Sequence, residues 1–177
     1  MRRTLFLLSL CASLFSFEVA FAHERERIEY LNSGKVLPVN LPFSEAVRVG
    51  NMLYLSGQIG IVPGTSKLVS GGIKEEARQT LENIKTSLRA HGYDLQDVVK
   101  CTVMLADIAE WDAFNEVYQS FFSKHYPARS AFGASGLALG ARVEVECLAA
   151  KGSQSSTRGS IPTRRKRTLP ASSKHPL

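Results

Sequence analysis

The residues best equipped for chemistry in this 177-residue chain lie in HYPARSAFGASGLALGARVEVECLAA, residues 125–150. The stretch reads as two strands joined by a Gly-rich turn. Arg129 follows Pro127-Ala128, and Arg142, Glu144 and Glu146 alternate with Val143, Val145 and Cys147. A guanidinium can grip a planar carboxylate through two parallel N–H donors and stays charged in a partly buried cleft. A carboxylate can orient water and carry protons. The same alternation also fits a plain solvated strand face, since charged side chains are mostly exposed. Residue type and spacing leave both readings open.

Other chemistry lacks its residues. His23, His91, His125 and His175 are scattered, and no HExxH, CxxC or His-x-His pattern occurs, which argues against a zinc site. No GxGxxG leads from a strand into a helix and no GxxxxGK[ST] occurs, so nucleotide binding has no motif behind it. Ser56-Gly57 lacks the GxSxG setting of a strained nucleophile.

The elements that must position the charged stretch are legible from periodicity. Ile28–Leu31 reads as a short strand, and 44–50 and 51–59 as a hairpin turned at Gly50-Asn51. Ile73 to His91 is the clearest helix: Ile73, Ala77, Leu81, Ile84 and Leu88 form one apolar stripe, and Gly92 stands where a helix C-terminal glycine belongs. Residues 97–105 alternate as a strand, with Val99, Cys101, Val103 and Leu105 on one face. Asp107 suits the N-cap of a second helix over 109–122, whose stripe is Phe114, Val117, Tyr118 and Phe121. The order β-β-β-α-β-α-β-β predicts an α+β fold, a mixed sheet with two helices packed on one face.

Three segments divide the chain. Met1-Arg2-Arg3, the apolar run 4–17 and the small residues of Ala20-Phe21-Ala22 have the build of a cleavable signal peptide over 1–22, with a mature start at His23 and a periplasmic or secreted destination. Cys11 lies inside the apolar run behind Leu10, which argues against a lipoprotein site. Residues 23–150 form the domain. Residues 151–177 are rich in Ser, Pro and basic residues and predict a disordered tail, whose Arg164-Arg165-Lys166-Arg167 run suits weak contact with anionic surfaces. Charge follows the same division. Of 22 basic residues the leader holds two and the tail seven, and one of 16 acids is in the leader, so residues 23–150 carry 13 against 15, a net of −2. The overall +6 therefore belongs to the tail, and the domain has no basic excess of the kind a nucleic-acid surface needs. Cys101 and Cys147 either form one bridge, as an oxidising compartment allows, or stay as two buried thiols.

GNMLYLSGQIG (50–60), ARQTLENIKTSLRAHG (77–92), VVKCTVMLADIAEWDAFNEVYQSFF (98–122), YPARS (126–130) and RVEVECLAA (142–150) occur in order. Together they resemble the reactive-intermediate deaminase (Rid) family, also labelled endoribonuclease L-PSP, over roughly residues 28–150. The resemblance implies a chorismate mutase-like fold of the bacillus type, a homotrimer with active sites between subunits, and hydrolysis of 2-imino acids or their enamines to 2-oxo acids and ammonia without metal or organic cofactor. It implies Arg129 as the clamp on the substrate carboxylate and Glu144 as the residue that handles the attacking water. Ser56, Asn115 and Phe43 fall on positions that line the family's site, although Ser56 and Asn115 equally suit a turn and a helix surface. Phe43 of LPFSEA (41–46) stands where the family usually has an aromatic hydroxyl, and Ala131 where many members have Cys. A ribonuclease or translation inhibitor, or a non-catalytic trimer that binds a small carboxylate, are the competing implications. Arg142 and Glu146 gain no role from the resemblance.

Overall fold

Gly50 takes a φ of 56°, a left-handed conformation that costs glycine little, and closes a hairpin between β2 (Ala46–Val49) and β3 (Met52–Leu55). This is seen in a computed structural model that describes residues 26–122 and 125–152. β1 (Ile28–Leu31) pairs with β2, and the chain after β3 breaks at Ser56-Gly57 before the two-residue β4 (Gln58–Ile59). Residues 51–59 are thus two strands, where the sequence predicts one. Then come α1 (Ile73–Ala90), β5 (Val98–Leu105), α2 (Trp111–Phe121), β6 (Ala128–Gly133) and β7 (Val143–Ala150).

The sheet order is β1-β2-β3-β7-β5-β6, with β4 also paired to β7. Only β5 and β6 run parallel. This corrects the expected adjacency of the last two strands: β5 lies between β6 and β7, and the Gly-rich segment between them is a crossover. A parallel neighbour cannot be reached through a tight turn, and α2 supplies the connection from β5 to β6.

Both helices pack on one face, as an α+β pattern requires. Ala77, Leu81, Ile84 and Leu88 are each 0% exposed and meet Val103, Val143 and Val145 of the sheet in one core cluster. Full burial of a Leu or Ile side chain is worth roughly 1.5–3 kcal/mol, so this stripe seats the helix. Gly92, at φ 84°, ends the turn after α1. Asp107 caps a short 3-10 turn at Ile108–Glu110 by accepting from the Ala109 N–H, and α2 begins only after it.

One strand residue departs from its expected face. Val99 is exposed, and Val98 takes the buried place, because β5 shifts register against β7 between Val98 and Lys100. From Cys101 onward the alternation holds. Cys101 and Cys147 lie directly opposite on the helix-covered face, joined by a disulfide. Beside the apolar stripe, α1 buries a second, polar one: Glu76, Thr80, Asn83 and Ser87. Asn83 Nδ2 donates to the Ile59 and Ile61 carbonyls at 3.0 and 2.9 Å, and Glu76 accepts from the Arg142 N–H at 2.8 Å. These bonds fix β4 and the start of β7 against the helix.

The proposed leader and nearly all of the basic tail lie outside the described residues.

Candidate active site

Arg129 sits in register with Cys101 on β6, so its side chain rises on the helix-covered face. There α2 meets it with aromatic rings. The guanidinium carbon lies 4.8 Å from the Trp111 ring centre, 4.6 Å from that of Tyr118 and 5.9 Å from that of Phe114. Cation–π attraction holds the charge there without neutralising it. Every other arginine among the described residues has a carboxylate partner: Arg27 and Arg48 on Glu29, Arg78 on Glu75, Arg89 on Asp94 and Arg142 on Glu110. Arg129 has none among them. Asn115, Gln119 and Tyr126 complete a 390 Å³ pocket around it. The Tyr118 hydroxyl is buried there without a hydrogen-bond partner among the described residues; its burial pushes the phenol pKa up, against the opposing pull of Arg129.

Glu144 is part of a different cavity. It pairs with Ile59 of β4 and Met104 of β5 and faces the helix-free side of the sheet. Its carboxylate reaches over Gly57 into the space a Cβ would take there, so a side chain at 57 would displace the carboxylate from its present position. No hydrogen-bond or ion-pair donor among the described residues contacts Glu144. Burial, followed by the like charge of Glu146, raises its carboxyl above the ordinary value. Phe43, Gly57 and Glu144 line this 360 Å³ cavity with Leu41, Ile59 and Leu139. Ser56 adjoins Gly57 but donates its hydroxyl to the Ser44 carbonyl at 2.7 Å, a bond that ties the loop carrying Phe43.

The five expected site residues therefore fall into two groups. Arg129 and Asn115 share one pocket; Phe43 and Glu144 line the other, and Ser56 adjoins it in sequence through Gly57 without lining it. Arg129 and Glu144 stand on strands either side of β5, three residues apart along it, and on opposite faces. That amounts to about 10 Å along and about 10 Å across the sheet, before the side chains diverge. One copy of the chain does not bring them together.

Sequence reasoning overlooked Trp111, Phe114 and Tyr118 as the cage of Arg129, because their spacing reads as a core stripe. It also overlooked Gly57. Arg142 and Glu146 are accounted for differently: Arg142 chelates Glu110 through Nε and Nη2, and Glu146 stands beside Glu144 as a like charge.

Among known families, the sequence pattern described as endoribonuclease L-PSP matches residues 35–151. The chain belongs to that family. The same family carries the Rid deaminases. A human protein named 2-iminobutanoate/2-iminopropanoate deaminase is 46% identical over 111 residues, covering 63% of this chain and 81% of the human one. The solved structure of RidA from an Antarctic Psychrobacter superposes with a TM-score of 0.66 at 38% identity, covering 70% of this chain and 99% of that one. Escherichia coli TdcF, solved with bound serine, gives 0.65 at 30% identity over 70% of this chain and 99% of its own. The L-PSP fold is thus the fold of this domain. Among the described residues no three His, Cys, Asp or Glu side chains gather as a metal-ion site.

Proposed function

We propose that this L-PSP protein hydrolyses 2-imino acids, or the enamines that tautomerise to them, to 2-oxo acids and ammonia, at sites completed by two copies in a homotrimer. The observation that carries this reading is Arg129: alone among the described arginines it faces a pocket with no carboxylate of its own. Such a guanidinium is set to receive a carboxylate from a ligand. The deaminase name of the human relative gives that ligand its class.

In the reaction, Arg129 of one copy holds the substrate carboxylate, with Asn115 beside it. Glu144 of the neighbouring copy orients a water and takes its proton as the oxygen bonds to C2. That proton passes to the nitrogen to give a carbinolamine; the hydroxyl proton then follows it to the nitrogen through Glu144, the C–N bond breaks and ammonia leaves as the carbonyl forms. The raised pKa of Glu144, caused by burial and the like charge of Glu146, makes its carboxylate a stronger base for the water proton. Water is the only co-reactant. Ser56 serves the site through the loop bond to Ser44. Phe43 keeps the ring but not the hydroxyl, so it packs without donating.

The opposite-facing halves support assembly: an oligomer that sets the Arg129 edge of one copy over the helix-free face of the next makes a complete site. The Cys101–Cys147 bridge supports an oxidising, exported location. Protein added to an amino-acid oxidase reaction, with semicarbazide trapping residual imine, tests the activity. Faster imine loss that disappears in Arg129→Ala is expected; no acceleration across several amino acids would sink the reading.

A further inference from the structure

The cavity beside Glu144 is larger and more apolar than a small imine requires. Its apolar walls include Leu37, Leu41, Phe43, Ile59, Ile61 and Leu139, Thr65 and Ser66 also line it, and Glu144 is its only ionisable group among the described residues. At 360 Å³ it exceeds by more than twofold the ~150 Å³ apolar cavity known to accept benzene. Two wall residues are held from behind: Ile59 and Ile61 present their carbonyls to Asn83, so the pocket floor is fixed to α1.

Leu139 adds an independent sign. It is the only non-glycine residue among those described with a positive φ, at 57°, and the residue is 61% exposed in a single copy. A bulky apolar residue in a left-handed conformation at a cavity rim is disfavoured twice, by backbone sterics and by exposure. In the proposed assembly the neighbouring copy lies over this face, and contact with an apolar ligand group held between the two copies removes the second penalty.

We infer that the cavity is a side-chain subsite, and that the preferred substrates are 2-imino acids with bulky apolar side chains, those of leucine or phenylalanine size, over those of alanine size. The inference rests on the proposed deaminase reading, since Glu144 must lie within reach of C2 for the side chain to enter here. A hydrophobic pocket discriminates by roughly 10-fold or more per added carbon group that it buries.

The test uses the full chain and two readouts. Turnover is compared on imines generated from alanine, leucine and phenylalanine. Binding of pyruvate, 4-methyl-2-oxopentanoate and phenylpyruvate is measured by calorimetry. The expected result is a kcat/KM at least about 10-fold higher, and a Kd at least about 10-fold lower, for the bulky compounds, with the ratio narrowed in Leu139→Gln. That residue is exposed, so the variant should fold. Turnover that is equal or faster on the alanine-derived imine overturns the subsite and leaves the deaminase standing. Tight phenylpyruvate binding with no turnover of any imine overturns the deaminase and keeps the subsite. Uniform weak binding without turnover overturns both.

Discussion

Two glutamates in this domain, Glu45 buried and Glu144 half-buried, lose water to different ends. Glu45, 2% exposed at the start of β2, accepts from the Ser33 N–H at 2.6 Å and from the Ser87 hydroxyl at 2.5 Å, with His91 Nε2 at 3.5 Å. Burial alone raises its pKa, but these donors reverse the sign and hold it below the ordinary value. Glu144 has no such donors among the described residues and a like charge beside it, and its pKa goes up. The arginines divide the same way. Arg142 is chelated by Glu110, whereas Arg129 rests on aromatic rings with no anion among the described residues. In each pair, one ion is satisfied within the fold, and the proposed function assigns the other to a ligand.

The largest effect separates the arginines. A bidentate carboxylate contact comprises two charge-assisted bonds of roughly 1.5–3 kcal/mol each, so Arg129→Ala should lower kcat/KM on the order of 10³-fold. Arg142→Ala should leave it within about threefold, as a surface ion pair does. Similar losses in both would erase the distinction between a bound and a free guanidinium.

The glutamates differ in the sign of their effect on stability. The folded pKa of Glu144 lies above the unfolded one, so the folded state binds its proton more tightly and stability falls as pH rises through that window. Glu144→Gln should therefore raise Tm at pH 7 while costing about 10²–10³-fold in kcat. The folded pKa of Glu45 lies below its unfolded value, so its contribution is complete above the unfolded pKa and fades as pH falls through the folded one. Glu45→Gln should lower stability at neutral pH by about 1–3 kcal/mol, the cost of disturbing a buried bonded group, with less loss in acid. Denaturant melts across pH read both signs.

A third effect concerns the row Cys147, Cys101, Arg129, which crosses three neighbouring strands. Replacing both cysteines by Ala should cost about 2–5 kcal/mol, seen as a lower urea midpoint than that of the oxidised protein. The smallest change is the most specific. Glu146→Gln removes the like charge at Glu144, so the acidic limb of the kcat profile should move to lower pH. A limb that does not move would separate it from Glu144.

Much of this was legible from residue patterns. The stripes at 77/81/84/88 and 114/117/118 revealed both helices, because apolar residues spaced by threes and fours share a face on a helix and scatter over both faces of a strand. The crossover at β6 was hidden, since a Gly-rich segment between two apolar runs looks alike whether the strands pair or flank a third. Val99 was misplaced because alternation does not reveal a register shift. The family motifs single out Arg129 and Glu144 as candidates, and they do not reveal that the two stand apart on opposite faces. Which face a strand residue takes depends on pairing, and pairing is set across the whole sheet. The Tyr118 cage escaped because a tyrosine in a helix stripe is indistinguishable from core until the strand beneath it is known.

The central claim is that Arg129 of one copy and Glu144 of another make each site. Mixing Arg129→Ala and Glu144→Gln chains, each inactive alone, by co-refolding tests it directly. Random assembly pairs an intact Arg129 with an intact neighbouring Glu144 at about a quarter of the interfaces, so the mixture should regain about a quarter of native activity. A mixture as inactive as its parents would contradict the account.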